Sequence, residues 1–311
     1  MRLWPPRWLG TGTTAGGGNR SRGHCREGCA VKVLITGAGG QLGRDAAERF
    51  AASGHEVVAA GRRELDVARR DQVLSAVDSV GPDVVVNCAA FTAVDACETD
   101  VDQAFLVNAL AVRHLAEAVR RFGAHLCHVS TDYVFSGDKS GPYHEWDRPD
   151  PRSVYGASKL AGEQEAGEAA TVVRTSWLCG RYGSNMVATV LRLASEGGPM
   201  RFVDDQRGSP SFTPDVASVI ERLCADRRPG LYHVTNQGEA SWYELAREVL
   251  AAAGHDPDRV EPIATADLQP PRPAARPANS VLENRALALA GLARPPDFKV
   301  PLKRLVTDLL G

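Results

Sequence analysis

From Val31 onward, short runs of uninterrupted apolar residues alternate with longer stretches in which apolar residues return at helical spacing. Val33-Leu34-Ile35 reads as a buried strand, and Gln41 to Ala52 as the helix after it. Glu56-Val57-Val58-Ala59-Ala60 predicts a second strand, and Asp83-Val84-Val85-Val86-Asn87 a third, opened by the turn Gly81-Pro82. Residues 101 to 122 carry one continuous helical pattern. His125 to Ser130 reads as a fourth strand and Thr171 to Thr175 as a fifth. Strands that are apolar throughout and separated by helices need covering on both faces, which a doubly wound parallel α/β sheet provides. Ligands of such sheets sit beyond the C-terminal ends of the strands.

After Trp177 the alternation loosens. Thr213-Pro214-Asp215 predicts a helix opened by a threonine cap with proline in its first turn. Ser241-Trp242-Tyr243-Glu244 is a capping box, and the proline-rich stretch 257–277 reads as a surface loop. The expected organisation is a dinucleotide-binding Rossmann domain over 31–176 and a smaller C-terminal lobe over 177–311. That lobe is mainly substrate-binding, with some segments returning to the first domain. Residues 1–30 differ in kind: five arginines stand against Glu27 alone, among seven glycines. They read as a disordered extension or as an over-extended reading frame whose natural start lies near Val31.

Charge and cysteine usage narrow the class. Lysine and arginine number 36 against 38 acidic residues, a near-neutral balance that argues against a nucleic-acid partner. No apolar run is long enough to span a membrane. Seven cysteines in 311 residues make no disulfide scaffold, and the odd count suits a reducing, cytoplasmic compartment.

Gly37-Ala38-Gly39-Gly40-Gln41-Leu42-Gly43 follows the first strand and opens the first helix. Glycine at 37, 40 and 43 permits a tight turn, close backbone approach to a pyrophosphate and close helix–strand packing, and the free N–H groups of the helix start bind phosphate. An acid at the end of the second strand would favour NAD(H); the chain instead has Gly61-Arg62-Arg63, and Arg62 suits a 2′-phosphate. NADP(H) is the expected cofactor, with NAD(H) left open. Asp66 lies where it approaches the adenine or caps the next helix.

Tyr155-Gly156-Ala157-Ser158-Lys159 places a lysine one helical turn after a tyrosine. A neighbouring ammonium lowers the phenol's proton affinity and fits Tyr155 for proton exchange with a substrate oxygen. Ser130-Thr131-Asp132-Tyr133-Val134-Phe135 follows the fourth strand, where the nicotinamide end of a dinucleotide belongs.

Together these segments resemble the extended short-chain dehydrogenase/reductase family, and more narrowly its sugar-nucleotide reductases. The resemblance also rests on Asn87 to Asp95, Arg174-Thr175-Ser176-Trp177, Asp205-Gln206-Arg207-Gly208 and Arg276-Pro277 with Ser280. It covers about residues 31 to 310. It implies NADPH-dependent reduction of the C4 ketone of a dTDP-sugar, dTDP-4-dehydro-β-L-rhamnose. Tyr155 is then the proton donor, and Lys159 binds the nicotinamide ribose and depresses Tyr155. Thr131 bonds the reacting oxygen, Asp132 orients the sugar and Trp177 packs on the sugar or nucleotide. Gly40, Gln41 and Leu42 lie along the pyrophosphate, Asp66 and Val67 contact the adenine, and Ala90, Phe91 and Thr92 contact the cofactor's other half. Family dehydratases carry glutamate directly after the Thr-Asp pair; Tyr133 stands there, which speaks against dehydration. Some members bind Mg²⁺ between subunits of a homodimer. Asp45 falls near one such position, where a solvated helix carboxylate is the plainer reading, and no metal ligand is assigned. Two alternatives stand beside the reductase: a different dTDP-4-keto-6-deoxysugar as substrate, or a non-catalytic regulatory subunit of a methionine adenosyltransferase.

Overall fold

Valine-rich strands leave no polar face to present to water, and the protein, described by a computed structural model, buries them between helices on both sides. The structure describes residues 30–311 and the backbone of Arg2–Leu3. The first half of the chain runs β1 (Lys32–Thr36), α1 (Gln41–Ala52), β2 (Glu56–Ala60), α2 (Arg70–Val80), β3 (Val84–Asn87), α3 (Ala111–Phe122), β4 (His125–Thr131), α4 (Val154–Ala166) and β5 (Thr171–Thr175). The second half adds α5 (Met186–Glu196), β6 (Met200–Val203), α6 (Thr213–Ala225), β7 (Gly230–His233), α7 (Trp242–Ala252), β8 (Val260–Ile263) and α8 (Lys299–Leu310).

The main sheet is seven-stranded and parallel, in the order Arg2–Leu3, β2, β1, β3, β4, β5, β7. Strand order reverses at β1, where β2 lies on one side and β3 on the other, and that switch opens a crevice at the strands' C-terminal ends. Two residues of the arm expected to be disordered, Arg2–Leu3, pair with Val58 and Ala59 of β2; apart from Ala30, the rest of it lies outside the described residues.

One apolar core, around Ile35, Phe50, Val86 and Ile220, packs α1 and α6 on one sheet face, and another, around Leu34, Val77, Val85 and Leu115, packs α2 and α3 on the other. A third core, with Val187, Phe212, Leu245, Leu250 and Leu302, gathers α5, α7 and α8. Two elements beyond residue 177 belong to the first layers: β7 extends the sheet beside β5, and α6 lies against α1.

Three local expectations are corrected. The helix expected over 101–122 is broken: Val101–Phe105 runs into a π-helical turn, Leu106–Leu110, before α3, and the wider turn swings Asn108 into the interior. Thr213 is not a cap; Phe212 holds that position, and the threonine hydroxyl instead bonds Asp45 of α1. The stretch 257–277 is not all loop, because Val260–Ile263 pairs in parallel with β6. The capping box at Ser241 and Glu244 is present, with both reciprocal bonds made.

The remaining part of that stretch is clipped to the short helix Val94–Cys97. Arg276 grips Asp95 with two nitrogens at 2.5 and 2.7 Å, and Ala274 N–H adds a bond at 3.1 Å. The Arg276 bond is the main reason that the Asp95 carboxyl falls from its ordinary value to about 2. A carboxyl depressed on folding contributes stability above its unfolded pKa and loses it as pH falls toward the folded one. Urea unfolding of Asp95→Asn should therefore show a stability loss against the unmodified protein that is full at pH 6. The loss should shrink below pH 3.8 and be nearly gone at about pH 2; a gap that stays constant with pH would remove the ion pair as its cause.

Candidate active site

Glycine chemistry shapes the inner end of the crevice. Gly37 has φ +66°, and a Cβ there would lie 2.5 Å from the Ala89 nitrogen at the end of β3. Gly43 has no room either, since a side chain would run into the Gly37 carbonyl. Gly40 caps α1 without a side-chain bond, so the first N–H groups of that helix, from Gln41 and Leu42, face the crevice. A backbone cradle that tolerates no side chain fits the pyrophosphate of a dinucleotide.

The crevice holds about 670 Å³. Gly37, Gly40, Gln41, Leu42 and Gly43 line one end, with Arg62, Asp66 and Val67 beside them. Ala90, Phe91 and Thr92 line the middle, and Thr131, Asp132, Tyr155, Lys159 and Trp177 the other end. Every residue that the sequence singled out for the site is therefore brought to one cleft. Arg62 is exposed on its wall, while Arg63 does not line it. Asp66 makes a local turn, accepting from Ala68 N–H at 3.1 Å, and the N-cap of α2 is Arg69.

Tyr155 sits in the first turn of α4 because Ser153 caps that helix, accepting from Gly156 N–H at 3.1 Å. The helix presses against backbone at two places: a Cβ on Gly156 would strike the Tyr133 carbonyl after β4, and one on Gly162 the Asn108 carbonyl of the π-helical turn. Tyr133 meets Tyr155 edge to face at 5.4 Å. Lys159 is 2% exposed and its Nζ donates to the Val129 carbonyl at 2.7 Å.

Electrostatics at this end are governed by burial. Asp132 rises to about 6, chiefly through burial, with Ser280 and Thr131 pulling the other way. Lys159 falls to about 8 for the same reason, opposed by Glu163 and Cys88. The expectation that Lys159 depresses Tyr155 is overturned: burial lifts the phenol above its ordinary value, and the lowering contact comes from Thr131. Thr131 Oγ1 in turn donates to Asp132 Oδ1 at 2.9 Å, which leaves Asp132 Oδ2 buried and unpartnered.

Several residues on or beside this cleft carry no sequence signal of their own. Asn108, from the π-helical turn, accepts from Phe91 N–H at 2.8 Å and donates to the Phe91 carbonyl and to Ser158. Trp242 stacks on Trp177 with ring centres 3.5 Å apart and planes 6° from parallel, and its indole N–H donates to Gln206. Trp177 has φ +46°, a left-handed backbone that costs a β-carbon residue about 1–2 kcal/mol. Gly208 makes room for it, since a Cβ there would enter the Trp177 ring. Spacing along the chain gives no warning of contacts between residues so far apart.

Asp45, expected to be solvated, is 7% exposed, bonded by Thr213, and raised by burial. It lines a second cleft of about 550 Å³ with Glu48, Arg49 and Arg181. Among the described residues, no group of three or more His, Cys, Asp or Glu is arranged to hold a metal ion. No described helix is long and apolar enough to cross a membrane.

Residues 31–310 match the family model described as the RmlD substrate binding domain. Over 288 residues the chain is 45% identical to a Streptomyces antibioticus protein named probable dTDP-4,6-dihydroxy-2-methyloxan-3-one 4-ketoreductase, covering 90% of this chain and 96% of that one. A dTDP-4-dehydrorhamnose reductase from Streptomyces griseus is 44% identical over 287 residues, 89% of this chain and 94% of its own. The crystal structure of dTDP-4-dehydrorhamnose reductase from Bacillus anthracis in complex with NADP superposes with a TM-score of 0.86 at 37% identity, covering 90% of this chain and all of that one. The family match spans the glycine cradle, the Tyr155–Lys159 helix and the late Arg276-Pro277 segment, and the chain belongs to the RmlD substrate-binding-domain family.

Proposed function

We propose that this protein reduces the C4 ketone of dTDP-4-dehydro-β-L-rhamnose to the alcohol of dTDP-β-L-rhamnose, using NADPH. The observation that carries this reading is the continuity of one cleft, from a phosphate cradle with Arg62 on its wall to Tyr155, Thr131 and Asp132 at its far end. Relatives that align over nearly their whole length bear the reductase name, and one of them was crystallised with NADP.

NADPH supplies the hydride when bound. Gly37, Gly40, Gln41, Leu42 and Gly43 hold its pyrophosphate, Arg62 its 2′-phosphate, and Asp66 and Val67 its adenine. Ala90, Phe91, Thr92 and Lys159 hold its other half. Thr131 donates a hydrogen bond to the ketone oxygen and Tyr155 gives that oxygen its proton as negative charge develops there. A phenol kept protonated by burial is suited to donating, which is the direction that a reduction requires. Asp132 orients the sugar and Trp177, backed by Trp242, packs on the sugar or nucleotide. Residues 177–311 act mainly as the substrate lobe. The described cysteines are all free, as suits an enzyme of the reducing cytoplasm. The family reading carries a homodimer as the assembly.

A second substrate, another dTDP-4-keto-6-deoxysugar, is favoured by the 45% identity to the Streptomyces antibioticus ketoreductase. NADPH oxidation with enzymatically generated dTDP-4-dehydro-L-rhamnose separates the two readings. Fast turnover to a rhamnose product supports the first; slow turnover, with a faster rate on a related ketosugar, supports the second. No turnover on either from protein that binds NADPH points to a regulatory role.

Tyr155→Phe should bind NADPH nearly as before and turn over roughly 10²–10⁴-fold more slowly, the usual contribution of a positioned acid. Retention of most of the activity would show that another group donates the proton. Arg62→Ala should raise KM for NADPH far more than KM for NADH, because only NADPH presents a 2′-phosphate to the guanidinium. Equal effects on both would exclude Arg62 from that contact.

A further inference from the structure

Thr36, Asn87 and His128 stand opposite one another in register across β1, β3 and β4, and their buried side chains are joined in a row. The polarity of the row is fixed from one end. Asn87 Oδ1 accepts from the Ala89 backbone N–H at 3.1 Å, which can only donate, and from the Thr36 hydroxyl at 2.7 Å. Asn87 Nδ2 is therefore the atom that faces His128 Nδ1, at 3.0 Å, and it donates there. Nδ1 spends its lone pair on that bond, so in a neutral imidazole the proton sits on Nε2. Burial keeps His128 neutral, with its pKa well below the ordinary histidine value.

Nε2 lies 3.4 Å from Lys159 Nζ, in space that Gly162 leaves open, since a Cβ there would come within 3.2 Å of it. An N–H aimed at an ammonium opposes donor to donor, whereas the amine form of lysine offers a lone pair that accepts it. Lys159 keeps its bond to the Val129 carbonyl in either form. The other titratable groups around it are Glu163 and Tyr155 on its own helix and Cys88 at the end of β3. Cys88 is pushed up to about 12 by burial and stays neutral, and Glu163 is engaged by Arg174 at 2.7 and 2.8 Å and by Ser130 at 2.5 Å.

We propose that the Thr36–Asn87–His128 row presents an N–H rather than a lone pair to Lys159, and that His128 is thereby the positioning residue that sets the proton affinity of Lys159. The inference rests on the placement of Lys159 in the cofactor and proton-transfer site. A buried histidine that touches neither cofactor nor substrate in that reading thereby keeps the lysine's charge in play near neutrality.

The tautomer is read directly on the full chain labelled with ¹⁵N-histidine, by long-range ¹H–¹⁵N correlation, with His128 assigned from the signal lost in His128→Gln. A neutral Nε2–H ring at pH 7 is expected; an Nδ1–H ring or an imidazolium overturns the proposal whatever the variants do. In pH profiles of kcat/KM for NADPH, activity should decline as Lys159 loses its proton. His128→Gln, whose amide is free to turn its carbonyl to the lysine, should move that alkaline limb upward by about one unit, a tenfold change in proton affinity. A merely structural role would lower the whole profile and leave the limb in place, which would also overturn the proposal. Lys159→Met separates this from the wider reading: if it keeps its activity and its alkaline limb, the placement of Lys159 is wrong. If it is inactive while His128→Gln leaves the limb unmoved, only the role of His128 is wrong.

Discussion

The site depends on how closely α4 lies against its neighbours. Two glycines on this helix touch backbone directly, Gly156 at the Tyr133 carbonyl and Gly162 at the Asn108 carbonyl. Contacts between main chains leave little freedom, so the residues between them are placed by the helix as a rigid body. Tyr155, Ser158 and Lys159 all lie on that helix. Ser158 donates to the Tyr155 carbonyl at 2.8 Å and accepts from Asn108 at 3.0 Å. Asn108 also holds both backbone polar atoms of Phe91, which ties the cleft-lining loop after β3 to the same helix. The π-helical turn makes this possible, since its extra residue per turn is what brings Asn108 inward.

Close packing excludes water, and exclusion of water moves each titratable group toward its uncharged form. Asp132 rises, Lys159 falls, and Tyr155 and Cys88 rise, in every case with burial as the largest cause. Close by, Arg174 and Glu163 are held as a bidentate pair, with Ser130 completing the glutamate's bonds. Those two charges face each other, while among the groups lining the cleft the proton affinities of Asp132 and Lys159 are moved toward neutral pH and those of Tyr155 and Cys88 away from it. In the proposed reduction, a protonated phenol beside Thr131 would give up its proton only as negative charge grows on a substrate oxygen.

Legibility in the sequence followed the range of each interaction. The glycine cradle, the Tyr155–Lys159 step and the Ser241–Glu244 box are local patterns, set by a turn or a single helical repeat, and each is where the spacing put it. Thr213 misled because a threonine before a helix caps it only when nothing else competes for its hydroxyl, and Asp45 does. The π-helical turn was hidden because apolar residues keep a nearly helical spacing through it. The His128 row draws on three strands that meet only when the sheet forms, and Trp242 reaches Trp177 across the second lobe. No one-dimensional pattern encodes either meeting. The lowered phenol failed for a related reason: adjacency on a helix gives the neighbour but not the depth of burial, and here depth decides the sign.

Two late stretches, 205–208 and 276–280, lie outside the lining of the cleft but are joined to each other and reach it through Trp177. Arg207 N–H donates to the Ala278 carbonyl and Ser280 N–H to the Arg207 carbonyl, each at 2.8 Å, so the 205–208 and 276–280 stretches form a short ladder. At one end of it Gly208 receives the Trp177 ring, and at the other Arg276 grips Asp95. Ser280 is also close enough to Asp132 to oppose the rise that burial gives its carboxyl. A substitution in any one stretch is felt by the others through these bonds, although they lie scattered along the chain. The ladder meets the cleft where Gly208 receives the Trp177 ring and Gln206 accepts from the Trp242 indole, both rings being part of the cleft's lining, so a change in either stretch reaches the site through the stacked tryptophans.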